Sequence, residues 1–265
     1  MTGGSGLVGA YAVRMLLDRG ERPVVYDVAV NERLLEAVGV ESGKVTAIRG
    51  DMMDLPALIS ALRDNDCDRI IHLAAFLGEE VQRRPYSGVR LNFMGTVNVF
   101  EAARLEKVSR MIFPSSGTVY LGSLGEGLHK IDETIPMNPP SIYAATKASC
   151  EFMGRAYAKR YGFEFICLRY TGGLYGPSPA ALKATREIAI QQMIRAAVKV
   201  SRQKSAGHTG RRRFSTERMR RKAPYWRCSK TNLLTRCFTS ATASRSAAMI
   251  LSQQCARLIQ GRTSS

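Results

Sequence analysis

Between Pro23 and Arg169 the chain alternates between short apolar runs and longer stretches whose apolar residues recur at helical spacing. The short runs are Val24-Val25-Tyr26, Val45-Thr46-Ala47-Ile48, Ile70-Ile71-His72-Leu73, Met111-Ile112-Phe113 and Phe165-Ile166-Cys167-Leu168. Continuous runs of this kind, rather than apolar–polar alternation, predict strands buried on both faces. The intervening pattern predicts helices over residues 7–18, 34–38, 58–62, 89–105 and 143–161. Parallel strands need a crossover between them, and helices supply it with a right-handed path. The expected fold class is therefore α/β, a parallel sheet covered by helices on both sides. With 265 residues, 45% of them hydrophobic, the chain can bury one sizeable core, and no internal repeat divides it.

The start of the pattern is short of a strand. The cluster Gly3-Gly4-Ser5-Gly6-Leu7-Val8-Gly9 reads as the turn between a buried strand and a helix, yet only Met1 and Thr2 precede it. In dinucleotide-binding sheets that first strand is central, so its loss would expose the edges of two neighbours. A truncated start is the expectation. Gly3, Gly6 and Gly9 have the spacing of a nucleotide-binding turn, where missing side chains let backbone N–H groups and the helix N-terminus approach a pyrophosphate. A glycine-rich turn without a ligand is the plainer alternative. Asp27 favours the first reading, because it ends the next strand about 20 residues on, where an acid accepts hydrogen bonds from the adenosine ribose and repels the extra phosphate of NADP. NAD is the cofactor this pattern favours.

The formal net charge is +17, and its distribution matters more than its size. Residues 1–198 hold 23 Lys and Arg against 21 Asp and Glu, whereas residues 199–265 hold 16 against 1. The first part is a nearly neutral domain ending in an expected helix at 184–198. The second is a basic tail with Arg211-Arg212-Arg213 and Arg220-Arg221-Lys222 in sequence without sustained periodicity. It reads as a nucleic-acid-binding extension, a disordered segment, or a segment translated out of register. No zinc-finger spacing, helix-turn-helix pattern or aromatic RNA-binding motif accompanies the basic runs, which disfavours the first of these. No apolar run approaches the roughly 18–20 residues that span a bilayer, and no signal peptide opens the chain, so a cytoplasmic location without membrane contact is expected. The six cysteines include no Cys-x-x-Cys pair and fit reduced thiols, with no metal site expected.

Candidate chemistry lies where strands end. Gly50-Asp51-Met52-Met53-Asp54 offers either a carboxylate toward an adenine amino group or a helix N-cap before Leu55-Pro56. His72-Leu73-Ala74-Ala75 closes a strand with small residues that suit close passage of a cofactor, while His72 itself reads as a buried strand histidine rather than a base. Tyr143 and Lys147 stand four residues apart, on one helix face. Such a lysine can lower a phenol's pKa, so that the phenol exchanges a proton with a substrate hydroxyl during hydride transfer. Two surface residues are the plainer reading. Upstream, Ser115-Ser116 follows Met111-Ile112-Phe113 at the sheet edge where α/β folds bind ligands, and Ser116 is placed to hydrogen-bond the same substrate oxygen.

Taken in order, these pieces resemble the extended short-chain dehydrogenase/reductase superfamily, specifically its NAD-dependent epimerase/dehydratase branch of UDP-glucose 4-epimerase-like enzymes. The resemblance spans residues 1–198 and rests on Thr2-Gly3-Gly4-Ser5-Gly6-Leu7-Val8-Gly9, Asp27, Gly50-Asp51, His72-Leu73-Ala74-Ala75, Asn92-Phe93-Met94-Gly95-Thr96, Ser115-Ser116-Gly117-Thr118-Val119-Tyr120, Tyr143 to Lys147, and Leu168-Arg169-Tyr170 before Tyr175-Gly176-Pro177. It implies a Rossmann-type, doubly wound NAD-binding domain whose first strand is largely missing. It further implies Tyr143 as general acid/base, Lys147 as its modulator and a nicotinamide-ribose ligand, and Ser116 as hydrogen-bond partner of the substrate hydroxyl. Gly3, Gly6, Leu7, Val8 and Gly9 would cradle the pyrophosphate and Asp27 the adenosine ribose; Asp51 and Met52 would line the adenine site. Leu73, Ala74 and Ala75 would pass beneath the cofactor, with Asn92 and Tyr170 near its nicotinamide end.

The substrate implied is a nucleotide sugar or similar alcohol. Family dehydratases usually carry an Asp-Glu pair directly after the active-site hydroxyl; here Gly117 and Thr118 stand there, which disfavours dehydration. Leu121 replaces a common glycine, and Thr171-Gly172-Gly173-Leu174 is one residue longer than the usual link. Residues 199–265 stand where relatives keep much of their substrate-binding region. By analogy with relatives, the helices at 89–105 and 143–161 would pair with a second copy in a four-helix interface. Two rivals accompany this reading: an inactive relative, and a nucleic-acid-binding protein acting through its basic tail.

Overall fold

Strand and helix alternate as expected. In order they are α1 (Leu7–Leu17), β1 (Val24–Asp27), α2 (Glu32–Ala37), β2 (Thr46–Arg49), α3 (Leu55–Arg63), β3 (Arg69–Ile71), α4 (Gly78–Arg83), α5 (Pro85–Val89), a π turn (Arg90–Gly95), α6 (Thr96–Leu105), β4 (Arg110–Ser116), a 3-10 segment (Gly117–Ser123), α7 (Ile142–Tyr161), β5 (Glu164–Tyr170) and β6 (Thr235–Phe238). The computed structural model describes residues 1–123 and 132–170 and the backbone of Thr235–Phe238. The expected helix at 184–198, Tyr175-Gly176-Pro177 and all of the basic tail except β6 lie outside the described residues.

All strand pairs are parallel: β1 with β2, and β3-β4-β5-β6 in that order. Met1–Gly3 lies between the two groups, with Thr2 bridged in parallel to both Tyr26 and His72. On one side Tyr26 N–H donates to Met1 O at 2.8 Å and Gly3 N–H to Tyr26 O at 2.9 Å. On the other, Thr2 N–H donates to Ile71 O at 3.1 Å and Leu73 N–H to Thr2 O at 2.9 Å. The two neighbouring edges are thus covered at their C-terminal ends, contrary to full exposure. Beside their N-terminal ends lies an apolar hollow lined by Met1, Val24, Leu58, Leu62, Ile70 and Val99.

Successive strand residues point to opposite faces, and both faces are packed. Ile70, Met111, Phe113, Phe165 and Cys167 meet Leu58 of α3, Phe100 of α6 and Cys150 of α7. Ile71, Ile112, Ile166 and Leu168 meet Leu16 of α1 on the other side, and Val25 meets Ala10, Val13 and Leu34 of α1 and α2. The sheet is therefore doubly wound and Rossmann-type. β2 corrects the expectation of two-sided burial: Thr46, Ala47 and Arg49 are exposed and only Ile48 packs on the core. Among the described residues it pairs with β1 alone, which makes it an edge strand.

The expected helix at 89–105 is divided. The π turn places Asn92 O where it accepts both the Thr96 hydroxyl at 2.6 Å and the Cys150 thiol at 3.4 Å. Widened turns of this kind recur at functional sites. By contrast α7 runs unbroken for 20 residues from the Ser141 cap, whose Oγ accepts from Ala144 N–H at 3.2 Å, to Gly162 in the left-handed conformation at φ 81°. Among the described residues no helix is long and apolar enough to cross a membrane, and Cys67, Cys150 and Cys167 are free thiols.

His72 is the buried strand histidine the sequence suggested. Because Thr96 Oγ1 donates to Asn92 O, it must accept from His72 Nε2–H at 2.9 Å, leaving Nδ1 to accept from the Thr2 hydroxyl at 2.6 Å. That chain fits only a neutral ring. Burial first, then the charge of Lys147, holds the imidazole down from 6.5 to about 3. Above pH 6.5 both folded and unfolded states are neutral; below it the unfolded chain takes a proton that the folded one refuses until about pH 3. Stability should fall by about 1.4 kcal/mol per pH unit from this site alone between those limits. His72→Asn, whose Oδ1 can still accept from Thr2, should be less stable at pH 8 but lose stability less steeply between pH 6 and 4 in denaturant titrations. Equal slopes would reject the assignment.

Candidate active site and cofactor cleft

The glycine turn is shaped by close contacts. Gly3 has φ +65°, and a Cβ there would stand 2.6 Å from Ala74 N. At Gly9 a Cβ would stand 2.4 Å from Gly3 O, so α1 can approach the turn only without a side chain. Gly6 caps α1 with no side-chain hydrogen bond, and a Cβ would meet only Gly3 O at 3.3 Å. Leu7 and Val8 form the first turn of that helix, whose positive dipole end faces the C-terminal edge of the sheet. Asp27, at the end of β1, is held beside them: its Oδ2 accepts the Ser5 hydroxyl at 2.7 Å and Ser5 N–H at 3.3 Å. Backbone donors at a helix start next to a strand-end carboxylate fit the pyrophosphate and ribose of a dinucleotide.

The flanking segments are fixed by their own bonds. Asp54, not Asp51, caps α3, accepting Ala57 N–H at 3.0 Å. Asp51 Oδ1 accepts Met53 N–H at 2.9 Å, and its carbonyl accepts the Tyr26 hydroxyl at 2.9 Å. Met52 turns its side chain into the core, where Gly95 makes room for it, so the adenine side is left with its backbone, which Asn98 Nδ2 holds through the Met52 and Met53 carbonyls at 3.1 Å. Leu73, Ala74 and Ala75 run past the glycine turn, with Ala74 N–H 3.5 Å from Thr2 Oγ1. The Asn92 amide accepts Phe76 N–H at 2.7 Å and donates to Phe76 O at 2.9 Å, holding the loop before α4. Tyr170 ends β5 opposite Ser116 and packs with Leu73 on the α1 face.

Ser116, Tyr143 and Lys147 come together. Ser116 ends β4, and its Oγ accepts from Thr118 N–H at 3.2 Å and from the Thr118 hydroxyl at 2.9 Å. Ser116 stands near enough to the Tyr143 phenol to lower its pKa. With its acceptor sites used by Thr118, the serine proton is left for the phenol or for a substrate oxygen. Lys147 is buried, its Nζ donating to Pro114 O at 2.8 Å and lying 4.8 Å from the Phe113 ring centre and 5.9 Å from that of Tyr143. Burial raises the Tyr143 phenol above its ordinary value, and the Ser116 hydroxyl opposes it. Burial lowers the Lys147 ammonium, opposed by Cys150, Cys167 and Glu151. Desolvation, rather than the lysine's field, thus dominates the phenol.

Sequence reasoning passed over Thr118 as a partner of Ser116, and Ser5 as the partner of Asp27. It also passed over Glu151, a wholly buried carboxylate on α7 four residues beyond Lys147. A charged residue on the inward face of a helix was the available signal for Glu151; hydroxyls close in sequence gave none for Thr118.

The model of the NAD dependent epimerase/dehydratase family matches residues 1–215. The UDP-glucose 4-epimerase of Halalkalibacterium halodurans is 30% identical over 172 residues, 64% of this chain and 49% of that protein. Among solved structures, the Thermus thermophilus UDP-glucose 4-epimerase complex with NAD shares 31% identity at a TM-score of 0.60, covering 69% of this chain and 59% of that one. The dTDP-glucose 4,6-dehydratase of Streptomyces venezuelae, with NAD and TYD bound, shares 30% at 0.59, covering 67% and 56%. The chain spans about half to two thirds of the length of such relatives.

Gly3→Ala should lower stability by more than about 2 kcal/mol, from its left-handed backbone and its contact with Ala74 N. Gly6→Ala should change the melting temperature little, since only Gly3 O stands near. Similar losses for both would contradict the packing of the turn.

Proposed function

From the chain's membership of the NAD-dependent epimerase/dehydratase family, we propose that it binds NAD and carries out reversible hydride transfer at a hydroxyl carbon of a nucleotide sugar, as an epimerase or dehydrogenase. The observation that carries the reading is the convergence of Ser116, at the C-terminal end of β4, with Tyr143 and, one helical turn on, a buried Lys147 whose Nζ lies 5.9 Å from the Tyr143 ring centre. That edge is where α/β sheets take ligands. Gly3, Gly6, Leu7, Val8 and Gly9 hold the pyrophosphate, Asp27 the adenosine ribose, and the backbone of Asp51 and Met52 borders the base. Bound NAD supplies the acceptor and donor of hydride. Tyr143 takes the hydroxyl proton as the carbon gives up hydride, and returns it in the reverse step. Ser116 donates to the substrate oxygen, and Lys147 steadies the negative charge that the tyrosine carries as phenolate before it takes the proton and again after it returns it. Asn92 and Tyr170 act indirectly, by holding the Phe76 loop and the end of β5.

A second copy of the chain is the proposed protein partner. Tyr86, Met94 and Phe152 of α5, the π turn and α7 are 79%, 46% and 60% exposed, an apolar surface suited to helix–helix pairing. Phe152→Asp should convert a dimer to monomer in sedimentation runs; a wild-type monomer would remove the proposal.

Calorimetric titration should show saturable NAD binding and weaker NADP binding. Asp27→Ala should narrow that difference by removing a ribose acceptor and a repulsive charge; an unaltered ratio would count against Asp27. Tyr143→Phe should reduce turnover of a UDP-sugar by about 10²–10⁴ and leave NAD affinity within a few-fold. NAD binding with no turnover of any nucleotide sugar would favour an inactive relative.

A further inference from the structure

Beneath Tyr143 and Lys147 lies a charged cluster that the proposed chemistry does not use. Glu151 is 0% and Arg169 3% exposed. Arg169 Nε donates to Glu151 Oε1 at 3.0 Å and Nη2 to Oε2 at 2.6 Å, a bidentate pair between α7 and β5. The Ser115 hydroxyl donates to Glu151 Oε1 at 2.5 Å. Arg169 Nη1 donates to the Tyr120 hydroxyl and its guanidinium lies 4.9 Å from the centre of that ring. One ion pair therefore joins α7, β4, β5 and the 3-10 segment. Burying such a pair gains little stability over apolar packing, so its use here calls for a reason in specificity.

The geometry supplies one. Ser115 precedes Ser116, Tyr120 stands in the 3-10 segment that carries Thr118, and Glu151 shares a helix with Tyr143 and Lys147. We propose that Glu151 and Arg169 are positioning residues of the catalytic site: their pair fixes the Ser116 end of β4 against the helix carrying Tyr143 and Lys147, and keeps unbalanced charge away from the phenol. The proposal rests on the reading of Tyr143 as acid/base. The groups facing Glu151 are Ser115 of β4, Arg169 and Cys167 of β5, and Lys147 and Arg155 of its own helix, with Tyr120 behind Arg169. Cys167 is held protonated by burial and by Glu151, so the arginine is the balancing charge bound directly to the carboxylate on both oxygens.

Tyr143 stands eight residues before Glu151, about 12 Å along the helix. At that distance and an effective dielectric of about 20, one unbalanced charge displaces a phenol's titration by about one pH unit. Tyrosine labelled with carbon-13 at Cζ, with the Tyr143 signal identified by its loss in Tyr143→Phe, reads this without substrate. Glu151→Gln leaves Arg169 unbalanced and should move the midpoint down by about one unit. Arg169→Gln leaves the carboxylate only its longer ion pair with Arg155, at 3.5 Å, and should move the midpoint up by less, so either variant that folds tests the charge. The double variant should return close to wild type. A midpoint unmoved in a folded single variant would overturn the proposal and reduce the pair to packing. A Tyr143→Phe enzyme that turns over like wild type would instead sink the acid/base reading, while the titration still reports on the pair.

Discussion

The two groups of parallel strands are joined through three residues. Met1–Gly3 is hydrogen-bonded to β1 on one side and to the end of β3 on the other, and Thr2 adds its hydroxyl to His72. Everything at the C-terminal edge inherits its spacing from that junction. Asp27 continues β1 and Leu73 to Ala75 continue β3, so the separation of the two is the width of one strand, and the glycine turn rises between them. The His72–Thr96–Asn92 chain carries the same constraint across to the π turn, and Asn92 passes it to the Phe76 loop. A side chain at Gly3 or Gly9 would disturb the junction and the cleft together, because both are built from the same backbone.

Polar groups are concentrated along this edge, while the middle of the sheet is apolar. His72, Lys147, Glu151 and Arg169 are all buried, and each has defined partners: two threonines, the Pro114 carbonyl, and each other. Burial of unpaired groups would cost several kcal/mol apiece, so the hydrogen bonds here restrict geometry more than they add stability. A phenol held above its ordinary value and an ammonium held below its own are the electrostatic result.

How much of this was legible depended on whether a feature is local. Strands written as apolar runs and α7 with its Ser141 and Gly162 ends follow from neighbours in sequence, and they lie where expected. β2 shares that apolar composition but lies at the edge, a fact of strand order that no run of residues encodes. The Asn92 carbonyl of the π turn accepts from the Cys150 thiol, 58 positions away, a contact no local stretch of sequence encodes. Residues named from the motif pattern, such as Ser116, Tyr143 and Lys147, are adjacent in space, yet the details that set their chemistry come from elsewhere. The Met52 side chain packs in the core and the Asn92 amide clamps the Phe76 loop, contacts that neither residue's neighbours in sequence announce.

The position of Thr118 narrows the chemistry the edge can support. Elimination of water needs an acid and a base beyond the group that handles the hydroxyl proton, and relatives that dehydrate usually place a carboxylate pair just after the serine. Here Gly117 offers no side chain and the Thr118 hydroxyl is spent on Ser116. A hydroxyl cannot change protonation state at neutral pH, so it can orient its neighbour but cannot take or supply a proton in turn. Among the described residues the titratable groups gathered beside the serine are the Tyr143 phenol and the Lys147 ammonium. One such group can remove a proton and give the same proton back, which closes a cycle of oxidation and reduction at one carbon and leaves the rest of the substrate intact.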